Sequence, residues 1–161
     1  MLEVVFTILP TFALIFGLTD VGFMIFRWST LQNAVREGVR YAITFQTEPD
    51  PNGGSLGQDA SVKQVVEHYS LGMVSATDDP AHIFVNYYSP SDPNTPITNG
   101  GNSPGNVVEV SVQNISFSWL APISGVIVGD SIFWATEPLT ISVYAADILG
   151  GLPVGVNEVP R

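Results

Sequence analysis

The sequence predicts an α+β protein in which one long N-terminal helix packs on a small antiparallel β-sheet. Three observations predict this class. Residues 1–46 form one helical pattern with an apolar first half and an amphipathic second half. Two prolines and a Gly-Gly pair at 48–54 end that pattern, and segments of alternating apolar residues follow only after residue 82. We therefore expect two parts, the helix of residues 1–46 and a β-rich domain of residues 47–161.

The first half of the helix has the composition of a membrane segment. Residues 4–26 are long enough to cross a hydrocarbon core of about 30 Å, and Asp20 is the only charge among them. At about 1.5 Å per residue the whole helix measures roughly 65 Å, more than anchoring requires. Met1-Leu2-Glu3 lacks the basic start of a secretory signal peptide, so a leader already removed and an uncleaved anchor both remain open.

Several residues of this half favour contact with other helices. Pro10 lacks a backbone donor and predicts a kink, while Ala13 and Gly17 form a small-x-x-x-small pair and Gly22 adds a second flat patch. The alternative is that these glycines have no role in helix contact, because glycine is common in membrane helices in general. A charge in mid-membrane is costly, so Asp20 is expected either to contact another subunit or to reach the membrane interface.

The second half of the helix carries one apolar face. Its members are spaced at intervals of three and four residues, and they are Leu31, Val35, Gly38, Ala42 and Phe45. We expect this face to cover the sheet, with Gly38 at the closest approach.

The domain is predicted to contain one short helix and three or four strands. The helix spans 62–71 and is capped by Asp59 or Ser61. A strand at 82–88 and an exposed polar loop at 89–106 follow. A strand at 107–119 changes its alternation near Gln113 and Asn114, which predicts a β-bulge.

The last predicted elements are an apolar loop at 120–130 and a long strand at 131–148. In that strand Pro138 marks an edge or a bulge, and alternate residues face inward, namely Leu139, Ile141, Val143 and Ala145. The strands together predict an antiparallel meander.

Composition excludes several functions. After residue 46 there are twelve acidic residues against Lys63 and Arg161, a formal charge of −10, which makes nucleic acid an improbable partner. Without cysteine the chain has neither disulfides nor thiolate sites. His68 and His82 belong to no recognisable triad or metal cluster, so we expect no enzyme, no metal and no cofactor. Asn114 begins an Asn-x-Ser sequon, a candidate glycosylation site.

The N-terminal motifs resemble the TadE-like pilin and pseudopilin family of type IV (Tad/Flp-type) filament systems. The resemblance covers about the first 46 residues and is carried by Leu9-Pro10, by the Gly-x-x-Asp-x-Gly step at 17–22, and by Asn-Ala-Val-Arg-Glu-Gly-Val-Arg-Tyr-Ala at 33–42. It implies a pilin-like fold. It also implies that Glu3 has the role of the early pilin glutamate, which pairs with the amino terminus of a neighbouring subunit.

The resemblance implies a structural subunit of an extracellular type IV pilus-like filament that polymerises through its hydrophobic helix. The alternative is a minor pseudopilin that acts in the membrane as a priming or tip component. In either case the partners are the cytoplasmic membrane before assembly, the pilus assembly machinery and other copies of the chain. The filament would lie on the cell surface.

Overall fold

The computed structural model describes residues 2–117, 139–152 and 159–161, with side chains from Thr7 onward apart from that of Leu9. Helix α1, Leu2–Ile43, dominates the molecule and measures about 63 Å at 1.5 Å per residue. Its end is tightened, because Thr44 N–H donates to the Tyr41 carbonyl and Phe45 N–H to the Ala42 carbonyl. The predicted long helix is confirmed and ends three residues before Gln46.

The described residues contain four strands, β1 (Ile83–Ser89), β2 (Asp92–Pro96), β3 (Val107–Phe117) and β4 (Leu139–Ile148). They form one antiparallel sheet in the order β2-β1-β3-β4. The predicted α+β class is therefore confirmed. The predicted bulge is also present, because the register of β3 against β4 shifts between Val112 and Ile115 and Asn114 has a φ of 60°.

The prediction that residues 89–106 form only a loop was wrong. The segment 89–106 is not only a loop, because it contains β2, an edge strand of five exposed residues. Its sequence, Asp-Pro-Asn-Thr-Pro, lacks apolar alternation, so it forms a strand only by pairing with β1. Prolines are tolerated there because an edge strand needs few backbone donors.

Helix α2, Gln58–Tyr69, begins four residues earlier than predicted. Its N-cap is Gly57, which supplies no side-chain hydrogen bond, so neither Asp59 nor Ser61 is the cap. The Ser61 hydroxyl instead donates to the Gly57 carbonyl and accepts from the Glu48 N–H. Ser61 thus ties the chain leaving α1 to the first turn of α2.

The core lies between the second half of α1, helix α2 and one face of the sheet. All three elements supply fully buried side chains, among them Leu31 and Val35 from α1, Val62 and Val66 from α2, and Val108, Val110 and Val143 from the sheet. In β4, Ile141 and Val143 are buried and Ala145 is half-buried, but Leu139 is exposed. The contribution of α2 to covering the sheet was missed.

Part of the predicted sheet region lies outside the described residues. This applies to the apolar loop at 120–130, the strand residues 131–138 with Pro138, and the last two residues of the predicted strand 107–119.

Candidate functional site

The first half of α1 exposes large apolar side chains around most of its circumference. Successive residues of an α-helix point about 100° apart, so Leu14, Ile15 and Phe16 already face three directions, and all three are exposed. Among the side chains that the structure describes, the exposed set comprises Ile8, Phe12, Leu14, Ile15, Phe16, Leu18, Val21, Phe23, Ile25, Phe26 and Trp28. A helix on the surface of a globular domain is exposed on a polar face, whereas the exposed part of this half is apolar, so it requires apolar surroundings over most of its circumference.

One helix among the described residues, Pro10–Ile43, has the length and apolar composition to cross a membrane. Its hydroxyl groups are compatible with such surroundings. Thr11, Thr19 and Thr30 each donate to the backbone carbonyl four residues earlier, at 2.7, 2.8 and 2.9 Å. These bonds satisfy the hydroxyl donors within the helix, so the threonines present mainly their methyl groups outward.

The predicted assembly residues with described side chains lie along this half. Pro10 and Ala13 are exposed, and a Cβ added at Gly17 or Gly22 would meet no atom within 4 Å. The two glycines are therefore open, flat positions on the helix surface. The backbone of Glu3 lies in the first turn of α1, but its side chain is outside the described set.

Asp20 differs from its neighbours on α1. Thr19 and Val21 are exposed, but Asp20 is only 1% exposed. It also has an interaction partner within the chain. Its carboxylate is thus not presented at the surface of the single chain.

The predicted packing residues of the second half all lie in the core, and they are Leu31, Val35, Gly38, Ala42 and Phe45. A Cβ added at Gly38 would lie 2.6 Å from Cγ2 of Val66 in α2, but 3.5 Å from Cγ1 of Val110 in the sheet. The closest approach at Gly38 is therefore to α2. The predicted contact with the sheet is the longer of the two.

At the far end of the domain, the last residues of the chain are bound by a polar network that sequence reasoning missed. Buried Gln58 donates from its amide nitrogen to the Ala42 carbonyl and from its backbone N–H to the Pro160 carbonyl, both at 2.8 Å. Asn102 donates to Oε1 of Gln58 at 2.9 Å and to the Val159 carbonyl at 2.7 Å. The network joins the end of α1, the start of α2 and the C-terminal residues.

Arg161 completes this network. Its Nε lies 2.7 Å from Oδ2 of Asp59, its Nη1 donates to the Ile97 carbonyl at 2.7 Å, and its guanidinium lies 4.9 Å from the centre of the Tyr87 ring. The Tyr87 hydroxyl donates to Oδ1 of Asp59 at 2.9 Å. Burial, and then the negative charge of Asp59, raises the pKa of Tyr87 well above its ordinary value. We call Gln58, Asp59, Tyr87, Asn102 and Arg161 the C-terminal clasp.

The remaining candidate residues lie on the domain surface. Asn114 is exposed at the β3 bulge, where its backbone N–H donates to the Ser142 hydroxyl at 3.4 Å. His68 is exposed and its ring meets that of Tyr69 edge-on. His82 is bound through Nδ1 to the Gln113 carbonyl at 2.9 Å.

Residues 1–40 match the family model described as TadE-like protein, which confirms the resemblance seen in the sequence. The match covers the exposed half of α1 and most of its packed half, and leaves α2 and the sheet outside. It supports an association of the chain with a Tad pilus system. No curated protein and no solved structure matches the chain.

Proposed function

We propose that the chain is a structural subunit of an extracellular type IV pilus-like filament and polymerises through the first half of α1. The observation that carries the proposal is the exposure of apolar side chains around most of the circumference of that half, for example Leu14 at 62% and Leu18 at 66%. The match of residues 1–40 to the TadE-like family supports it.

The free energy of apolar burial explains why this half does not remain in water. Burying one large apolar side chain is worth about 1.5–3 kcal/mol, and eleven of the described side chains from Ile8 to Trp28 are large, apolar and exposed. The resulting total, on the order of 20 kcal/mol, exceeds the stability of a typical domain. Lipid supplies the required apolar surroundings before assembly, and neighbouring helices supply them afterwards.

Transfer from lipid to a filament core gains no hydrophobic free energy, so close packing has to favour it. Ala13 and Gly17 are about 40° apart around the helix axis, and Gly22 lies about 180° from Ala13. Small residues on opposite sides let one helix receive a neighbour on each side. Contacts on two sides extend into a filament, whereas one self-complementary face closes a dimer.

The second half of α1 and the domain stay folded together outside the filament core. With a formal charge of −10 after residue 46, the domain surface is strongly hydrated and suits the outside of a fibre. The proposal thus places the chain in the cytoplasmic membrane before assembly and on the cell surface afterwards. Its partners are other copies of the chain and the pilus assembly machinery.

The same charge favours the second candidate function, a minor pseudopilin that primes assembly or occupies the tip. Many copies in one fibre would bring like charges close together, and salt screens them only beyond about 8 Å. A component present in few copies avoids this repulsion.

The two functions differ in stoichiometry, which sheared surface filaments reveal. If the chain makes up most of the filament mass, it is the structural subunit. Trace amounts in filaments that disappear when the chain is deleted indicate the minor role. Filaments that form normally without the chain would contradict both functions.

A further inference from the structure

A groove between α1 and α2 lies beside the end of the membrane-type segment. It has a volume of about 490 Å³ and is lined on the α1 side by Phe26, Ser29, Thr30 and Asn33, and on the α2 side by His68, Tyr69 and Leu71. Residues 26, 29, 30 and 33 form one stripe of a helix. We call this the basal groove. It contains Phe26, the last residue of the apolar stretch 4–26, so it lies at the depth where that stretch ends.

The polarity of the seam between the two helices changes with distance from the apolar stretch. A second groove of about 690 Å³ continues the basal groove, since His68 and Tyr69 line both. Its lining includes Glu37, Arg40 and Glu48, whereas the basal groove is lined by uncharged or histidine side chains. The surface between the two helices thus changes from uncharged to charged along α1. The surroundings change in the same sense from an apolar bilayer to water.

Leu71 is the most unusual residue of the basal groove. It follows the C-cap Ser70 with a φ of 56°, at a position where helices commonly place glycine. Two other non-glycine residues described here have positive φ. Asn114 is of a type that tolerates this conformation, and Phe45 is compensated by burial in the core at 5% exposure. Leu71 is 70% exposed, so the folded chain gives its side chain little compensating contact.

We propose that Phe26, Tyr69 and Leu71 dock the domain onto the interfacial layer of the phospholipid bilayer that holds α1 before assembly. Tyr69 and the nearby Trp28 are of the amphipathic aromatic type that prefers this layer, and both are exposed. An acidic domain is not drawn to anionic lipid, so the contact is apolar and takes a zwitterionic bilayer. The proposal rests on the membrane stage of the proposed function and adds a second point of membrane contact.

The chain contains no cysteine, so one introduced thiol can be spin-labelled selectively. The full chain is reconstituted in phosphatidylcholine vesicles as Leu71→Cys, and collision of the label with oxygen and with a water-soluble nickel complex is measured. Ile148→Cys is the matched control, because Ile148 is also an exposed aliphatic residue, at 61%, and lies at the far end of β4. The near end is Leu139, whose strand partner Phe117 contacts Arg27 just after the apolar stretch. Leu14→Cys reports on the apolar half of α1. Equal thermal melts of the three labelled chains establish that the domain is intact in each.

We expect nickel accessibility at position 71 to be several-fold lower than at 148 and to lie between the values at 148 and 14, because the interfacial layer is shallower than the position of Leu14. If position 71 is as accessible as 148 while 14 is protected, α1 is inserted but the docking proposal is wrong. If 14 is accessible as well, the membrane stage of the proposed function fails with it. If position 71 is protected in sheared filaments but not in vesicles, its partner is a neighbouring subunit, which also overturns the proposal.

Discussion

The two halves of α1 have the same backbone and opposite surroundings. In the second half one face is closed by α2 and the sheet, so that Leu31, Ala34 and Val35 have no exposed surface, while Arg36 and Arg40 on other faces reach water. In the first half the apolar residues point in several directions and most remain exposed, while Asp20 and Met24 on one face are covered. One helix therefore serves two environments. Its second half is folded by contacts within the chain, and its first half requires contacts outside it.

Removal of residues 1–25 is expected to give the largest effect. The domain should remain folded, soluble and monomeric, because the buried apolar core begins at Leu31 and the deletion removes from the described contacts only the partly buried Met24 and the buried Asp20. Filaments should be absent. Light scattering and electron microscopy of the truncated chain, with the full chain as control, measure both results. Fibres formed by the truncated chain would show that assembly does not depend on the first half.

A matched pair of glycine substitutions separates the two halves. Gly38→Leu should destabilise the domain by about 1–3 kcal/mol through overpacking against Val66, and lower its melting temperature. Gly17→Leu has open space around it and should leave the melt unchanged while reducing filament yield. Thermal melts of residues 28–161 test the first substitution, and filament counts and melts of the full chain test the second. An unchanged melt for Gly38→Leu would refute the assigned packing face.

Glu3→Gln is predicted to reduce filament yield without changing domain stability. A carboxylate at the start of a helix is favoured by the helix dipole and can pair with a neighbouring amino terminus. An unpaired charge among packed apolar helices would cost several kcal/mol, so pairing selects the register between subunits. Normal fibre number and length in Glu3→Gln would mean that the glutamate is incidental.

The smallest predicted effect belongs to the C-terminal clasp and depends on pH. The pKa of Tyr87 is raised in the folded state, so its contribution to stability is complete below the unfolded pKa of about 10. Above that pH the unfolded state ionises first, and up to about 1.4 kcal/mol of stability is lost per pH unit. At pH 8 the Tyr87→Phe chain should be less stable than the native chain, because it lacks the hydrogen bond to Asp59. Its free energy of unfolding should, however, fall less as the pH rises.

Urea melts of residues 28–161 between pH 8 and 11 measure this prediction for the native sequence and for Tyr87→Phe. Tyr144→Phe is the control, because Tyr144 is exposed on β4. Parallel alkaline declines for the native chain and Tyr87→Phe would contradict the assignment to Tyr87. The Tyr87→Phe substitution should leave filament yield unchanged, because the clasp lies in the folded half of the molecule.

Local patterns explain why parts of this fold could be predicted. The apolar stretch is continuous, and the members of the face from Leu31 to Phe45 recur at helical spacing. Both can therefore be recognised from neighbouring residues. The bulge was predictable because the alternation changes phase between Val112 and Ile115, and only an extra residue keeps both sets on one face.

Features that depend on distant partners were missed. Helix α2 starts without a side-chain cap, and Gln58 is buried because its amide reaches the Ala42 carbonyl. The partners Asp59 and Arg161 are 102 residues apart, so no local spacing reveals the clasp. Strand β2 likewise exists only through its pairing with β1. The positive φ of Leu71 could not be predicted, because a leucine in a sequence does not indicate this backbone conformation.

The most direct test of the two-environment account compares two alanines of α1 within assembled filaments. Ala13→Cys and Ala34→Cys place single thiols on the exposed and the packed half of a chain that has no other cysteine. Treatment of sheared filaments with a short thiol cross-linker should give a ladder of covalent oligomers for Ala13→Cys and only monomer for Ala34→Cys. A ladder for Ala34→Cys, or monomer alone for Ala13→Cys, would contradict the account.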